Sequence, residues 1–422
     1  MTSSIRRAAL IFGKTIASSL ILACLAGLPL HFHITTYAYL AAALAGSCAI
    51  YLWTRPSRQS MAFTVVLGAA FAVFYAIVTG EPVLGSSPAF LGLGSLASLA
   101  LAALWSAPER RPATLDTCTT AALFPMFLIT SGLALGMTTA LHPKTFDLFL
   151  YAFDARLGMQ PGFLVGRFFA RFHAIRQACY FGYEALPLAM AIAFAMERSR
   201  PARRNASIML AFMIAAVGGF ALYNLFPAAG PIHVFGRQFP YAFPATGQAP
   251  YQLVAIGDAP RNAMPSVHIA MALLILWNSR LGPRVWRVLA ALLLGITVLA
   301  TLGFGEHYLV DLLVAVPFAL GAAALAASGL PWKTPVRAAS AGLGFAMVAG
   351  WLMYLRLPSP PFDGAGPWIV LLGCATVSVL LESRLHRAVV HVDAPVQPAA
   401  ARTQIERSSQ AAGPEACPTP AN

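Results

Sequence analysis

Apolar runs long enough to cross a bilayer recur along almost the whole chain, and that recurrence leaves few folds open. A helix needs about 20 apolar residues to span roughly 30 Å of hydrocarbon. Bounded by Arg, Pro and Gly, twelve candidate runs lie near residues 8–29, 35–53, 61–79, 89–106, 117–141, 174–196, 205–226, 264–280, 283–303, 307–328, 336–356 and 366–382. Of the 422 residues, 58% are hydrophobic and 10% charged, whereas soluble domains carry about 25% charged residues. The sequence therefore predicts an all-α, polytopic transmembrane helical bundle of about twelve spans. The formal net charge of +13 does not point to nucleic acid. Its arginines sit in short clusters between the runs, where they orient helices. The partner implied is the membrane, and nothing in the pattern specifies an oligomer.

The stretch 142–173 breaks the pattern. Phe146, Leu148, Phe149, Leu150 and Phe153 stand there beside Asp147, Asp154, Arg156, Arg167 and Arg171. That mixture is too polar for a span and reads as an amphipathic helical segment at the outer interface. Beyond about residue 385 the chain turns polar and rich in Ala and Pro, the composition of a disordered tail. Four regions result: N-terminal transmembrane helices over 1–141, a helical core over 142–330, two C-terminal transmembrane helices over 331–384, and a cytoplasmic tail over 385–422. Arg6 and Arg7 before an apolar run imitate a signal peptide, but Lys14 interrupts that run and many spans follow. An uncleaved first helix is expected. Cys24, Cys48, Cys118, Cys179 and Cys374 fall inside apolar runs and no C-x-x-C occurs, so neither a zinc site nor a disulfide framework is indicated.

Charge alternation gives an orientation. Basic clusters occupy alternate connections: Arg55 and Arg58; Arg110 and Arg111; Arg198 to Arg204; Arg280 to Arg287; Lys333 and Arg337; Arg384 and Arg387. The connections near 80–88 and 303–306 hold no Lys or Arg. By the positive-inside rule, both termini lie in the cytoplasm of a multi-pass protein of the cell (inner) membrane. The basic residues of 142–173 are the exception on the outer side.

Against so apolar a background, ionisable residues at helix ends are functional candidates. Arg261-Asn262-Ala263-Met264-Pro265-Ser266-Val267-His268 carries a polar loop into a span. Proline followed by Ser marks a helix start, where unpaired N–H groups and the helix dipole form an anion site. Ser266 adds a hydroxyl, Arg261 a guanidinium, and His268 an imidazole one turn in. The plain alternative is a helix cap with an interfacial histidine. Gly305-Glu306-His307-Tyr308-Leu309-Val310-Asp311 opens a later span, with His307 and Asp311 four apart on one helix face. A carboxylate there can fix the imidazole tautomer and leave the other nitrogen free to attack. The plain alternative is a structural His–Asp pair. One intervening helix, 283–303, returns both stretches to the same face. Two histidines, a carboxylate and an anion-binding helix start suit phosphoryl transfer through a phosphohistidine, with one histidine attacking and the other moving protons. No metal or cofactor is required. A zinc site is the chemical competitor, but the His307–Asp311 spacing makes Asp311 a better orienting group than a ligand.

Pro265-Ser266-Val267-His268 and Gly305-Glu306-His307-Tyr308-Leu309-Val310-Asp311 resemble the last two motifs of the type-2 phosphatidic-acid phosphatase superfamily, P-S-G-H and S-R-x5-H-x3-D. Tyr223-Asn224-Leu225-Phe226-Pro227-Ala228-Ala229-Gly230-Pro231 resembles the Pro-rich stretch of its inositol phosphorylceramide synthase, or Aur-type, branch. The resemblance covers about 140–330 and implies a phosphatidic-acid-phosphatase-like catalytic core. It implies that His307 is the nucleophile, Asp311 its partner and His268 the general acid. Ser266, with neighbouring amides such as that of Val267, would hold the phosphate. The chain departs from the pattern in three places. K-x6-R-P is not found upstream, Ala300-Thr301 stand where S-R is expected, and Val267 replaces Gly. Arg261, Arg237, Arg167 and Arg171 are the candidate replacement cations.

The expected function is a membrane enzyme that transfers or hydrolyses the phosphoryl or phospho-headgroup of a lipid phosphate at the extracytoplasmic face, inositolphosphotransferase-like. A plain lipid phosphate phosphatase is the alternative within the class. Outside it stand a lipid or solute transporter and a catalytically dead scaffold. A transporter usually places such groups at the midplane between two related halves, and no internal repeat is visible here.

Overall fold

Each of the twelve apolar runs holds a helix. A computed structural model describes residues 3–32, 37–198, 206–242, 251–357 and 365–392. Sixteen α-helices lie among the described residues. The N-terminal five are α1 Ser3–Phe32, α2 Ala38–Trp53, α3 Arg58–Thr79, α4 Ser87–Trp105 and α5 Arg111–Leu141. Then come α6 Asp147–Arg156, α7 Pro161–Arg171, α8 His173–Glu184, α9 Leu186–Arg198, α10 Ile208–Leu225 and α11 Pro231–Phe235. The rest are α12 Val267–Ser279, α13 Arg284–Gly303, α14 Leu309–Ala326, α15 Pro335–Tyr354 and α16 Gly366–Val392. Among the described residues nine helices are long and apolar enough to cross a membrane, and the pair α8–α9, bent by 47°, has the length and composition of one broken span or of a re-entrant loop. Pro187, second in α9, cannot donate to the Tyr183 carbonyl, which places the break there. The runs at 35–53 and 264–280 form the shorter helices α2 and α12. The chain is an all-α integral membrane protein.

Small residues let the N-terminal helices pack closely, as in other membrane bundles. A Cβ at Gly92 of α4 would sit 2.0 Å from the Leu44 carbonyl oxygen of α2. Thr64 of α3 meets Ser98 of α4 in a hydroxyl–hydroxyl bond of 2.8 Å. In the second half α14 is the central post, with 72% of its span buried.

Two features recess the site. The 13 residues of α12 rise only about 20 Å, short of a full crossing. Its entry segment, Ala263 to Ser266, is buried, so the helix begins inside the bundle. The second feature corrects the reading of 142–173. Of the two helices there, α7 is amphipathic, with Leu164, Arg167, Phe168 and Arg171 exposed in one stripe. α6 does not lie on a surface: Asp147, Phe149 to Ala155, both aspartates included, are buried. Its aromatic residues occupy core positions, and its aspartates find backbone donors inside. A two-residue antiparallel ladder, Lys144–Thr145 (β1) with Val254–Ala255 (β2), ties the approach to α6 to the loop that leads into α12. At the other end, α16 runs through Val392, eight residues into the stretch read as tail. Residues 393–422 lie outside the described ones.

Candidate active site

Ser266 is the N-cap of α12, its hydroxyl accepting from the Ile269 amide at 3.4 Å. The same hydroxyl lies 3.2 Å from Nε2 of His307, which comes from the loop before α14. On the other side of that ring, Nδ1 is 2.9 Å from the Ala263 carbonyl oxygen. A carbonyl only accepts, so Nδ1 carries the proton and Nε2 keeps its lone pair. Ser266 then donates to Nε2 while accepting from Ile269. Asp311 Oδ2 is 3.5 Å from Nδ1 and takes a stronger bond from the Tyr308 amide at 2.8 Å. The tautomer is therefore set first by Ala263, with the Asp311 carboxyl behind it at the edge of hydrogen-bonding range. Burial lowers the His307 imidazole to about 4, against the opposing pull of Glu306, so the ring is neutral at pH 7.

His268 meets His307 with ring centroids 6.2 Å apart, edge to face. It is half-buried, with the Tyr183 hydroxyl 3.0 Å from Nε2 and 3.2 Å from Nδ1. Tyr39 of α2 packs edge-on against the same ring at 5.7 Å. The fold thus brings together His268, His307, Asp311 and Ser266, as the spacing anticipated. Val267 departs from the superfamily's Gly, and α10 makes room for it: a Cβ on Gly219 would sit 2.3 Å from Val267 Cγ2.

Arg261 is corrected. Its guanidinium is fully buried among backbone carbonyls, with Nε donating to His142 at 2.9 Å, Nη1 to Gly257 at 3.1 Å and also to Ala259, and Nη2 to Ile256 at 2.9 Å. These bonds make it a clamp on the 256–261 loop rather than a phosphate ligand. Arg171 lies over Phe172, Arg167 Nε turns toward the Phe163 carbonyl of its own helix, and Arg237 is exposed. Thr301, at the position of the missing motif arginine, instead uses its carbonyl to hold the Glu306 and His307 amides at 3.1 and 3.2 Å.

Sequence reasoning missed the scaffold beneath the histidines. Asp147 accepts from the amides of Ala229 and Gly230, the latter at 2.7 Å. Asp154, two turns on, accepts from Leu309 at 2.7 Å and Val310 at 3.2 Å and so caps α14. Burial raises the Asp147 carboxyl and pushes that of Asp154 up to about 8, and both sets of amide bonds oppose the shift. Between them the Pro-rich stretch is a strut: Ala228 accepts from Ala263 at 2.8 Å, and Ile232 donates to Gly305 at 2.9 Å. Gly230, at φ +103, allows this contact, since a Cβ there would lie 2.3 Å from the Glu306 carbonyl oxygen. The available signal was a pair of aspartates seven apart in a helix otherwise mostly apolar. Tyr183 carried no signal, and neither did Arg176, an exposed cation on the same helix stacked over Phe304 at 6.0 Å.

Residues 148–325 match a family model described as the PAP2 superfamily. The PAP2-like segment runs from α6 through α14 and contains both histidines. Neither curated proteins nor solved structures give a significant match. The PAP2 match supports an enzyme of the lipid phosphatase and phosphotransferase kind and carries no mark of the inositol phosphorylceramide synthase branch. Among the described residues no group of three or more His, Cys, Asp or Glu side chains is placed to hold a metal ion.

Proposed function

We propose that this chain transfers the phosphoryl group of a lipid phosphate through a phosphohistidine on His307. The observation that carries the reading is the pair of imidazoles with centroids 6.2 Å apart beside the Ser266-capped start of α12. The phosphoryl group enters against Ser266 and the first-turn amides of Val267 and His268, drawn by the positive helix end. The Ser266 hydroxyl turns from Nε2 to a phosphoryl oxygen. His268 is a neutral ring until the entering phosphate monoanion passes it a proton. Nε2 attacks phosphorus, the bond to the lipid oxygen breaks, and His268 gives that proton to the lipid oxygen. The Ala263 carbonyl and Asp311 stabilise the cationic ring that results. His268, now neutral, takes a proton from water as the water oxygen attacks phosphorus. The P–N bond breaks and inorganic phosphate leaves.

With a lipid hydroxyl in place of water, the same second step transfers a headgroup. The likeness of Tyr223–Pro231 to the synthase branch favours that as the second reading. The alternation of arginines supports an extracytoplasmic site, cytoplasmic termini and a cell-membrane location. In this reading 142–330 is the catalytic core, flanked by the helices of 1–141 and 331–384.

Full-length protein in detergent is to be assayed for phosphate release from phosphatidic acid and polyprenyl phosphate, and for inositol phosphate transfer. Release that disappears in His307→Ala and resists chelators is the expected result. Release that survives His307→Ala removes the nucleophile, and sensitivity to chelators turns the reading toward zinc.

A further inference from the structure

A cavity of about 710 Å³ opens beside His268, within the roughly 300–1,000 Å³ range of ligand sites. Its walls are apolar, built from α5, α9, α10 and α12 with the start of α2. Along α5 the polar lining is Thr130 and Ser131, the Thr130 hydroxyl bonding back to the Met126 and Phe127 carbonyls of its own helix. Tyr39 near the start of α2, Asn262 in the loop before α12, His268 in its first turn and Tyr223 near the end of α10 line one end. From that end the lining follows α5 back from Leu135 to Phe124, about 17 Å of helix, close to the depth of one leaflet of hydrocarbon. We infer that this cavity seats the hydrocarbon chain of the lipid phosphate whose head reaches His268, and that α2 and α5, outside the PAP2-like segment, form part of the substrate site. The inference rests on the reading above that a lipid phosphate is the substrate. A lipid held only at its head would need no wall from α5. One placed with its phosphate at the imidazoles has its chain against that wall.

Gly132 allows a direct test, because it lines the cavity and a Cβ there meets no atom within 4 Å. Gly136, one turn on, is equally open and does not line it. The probe is dipalmitoyl phosphatidic acid, its affinity measured at equilibrium on full-length protein carrying His307→Ala to prevent turnover. Gly132→Trp should weaken binding about tenfold, the equivalent of turning some two methylenes out of an apolar site. Gly132→Leu should weaken it less, and Gly136→Trp should bind as the parent does. Dihexanoyl phosphatidic acid should lose less affinity than the palmitoyl lipid on the same Gly132→Trp substitution. Unchanged palmitoyl binding in both Gly132 variants, or an equal loss in Gly136→Trp, overturns the inference. Phosphate release by the native protein is scored separately. If it is absent while the binding pattern holds, the chemistry is lost and the chain site stands.

Discussion

The starts of α12 and α14 share one mouth of the bundle, a single helix apart, yet their unpaired amides meet opposite fates. At α14 the amides of Leu309 and Val310 are taken by Asp154, and that of Tyr308 by Asp311. At α12 the cap is local: Ser266 serves Ile269, and the Ser266 amide reaches the Asp311 carbonyl. The Val267 amide meets only the neutral Tyr223 hydroxyl, and that of His268 has no acceptor within its helix, so neither faces a carboxyl. Every helix start attracts anions, but one already occupied by a carboxyl cannot take another. On the proposed function, the difference is the reason to place the phosphate at α12 and the attacking imidazole beside α14. One end is left open and the other is pinned.

The largest effect that sharpens this contrast is at the pinned end. His307→Ala should cut phosphate release by about 10⁴-fold or more, with thermal unfolding little changed. His268→Ala should cost about 10²–10⁴-fold, the range of a lost proton-transfer group. Equal losses from both would argue against separate roles. Asp154→Ala orphans two amides inside the bundle and should cost about 1–3 kcal/mol of stability. Ser266→Ala should cost about 1 kcal/mol as a lost cap and weaken phosphate binding as well. A larger stability loss at Ser266 than at Asp154 breaks the contrast. The smallest effect is that of mild acid. The neutral His307 ring is the attacking form, and its proton affinity falls from the usual 6.5 to about 4. The acid limb of kcat/KM should therefore fall near pH 4, with little change on His307's account between pH 7 and 5. A limb near 6.5 would mean a solvated ring.

The sequence announced what periodicity and spacing can announce. Twelve apolar runs became helices because length and hydropathy are local properties. The two histidine motifs met because a single helix, α13, returns the chain to its starting face. Arg261 was misread for a physical reason: a guanidinium in a polar loop looks the same in sequence whether it faces phosphate or four carbonyls. α6 was misread because buried aspartates satisfied by distant amides resemble surface aspartates until those amides are located. Tyr183 was invisible, since its contact with His268 depends on the bend at Pro187 and on the crossing of two helices. The cavity along α5 is a space between elements, and no residue pattern encodes a space.

Asp147 sits one residue ahead of the PAP2-like segment, at the first position of α6. A transplant of the matched residues alone would keep both imidazoles and sever the anchor of the Pro-rich strut. The β1–β2 ladder would be lost with it. The segment that holds both imidazoles is thus not portable at its matched border, and a graft that keeps the strut and the ladder has to begin upstream of Lys144.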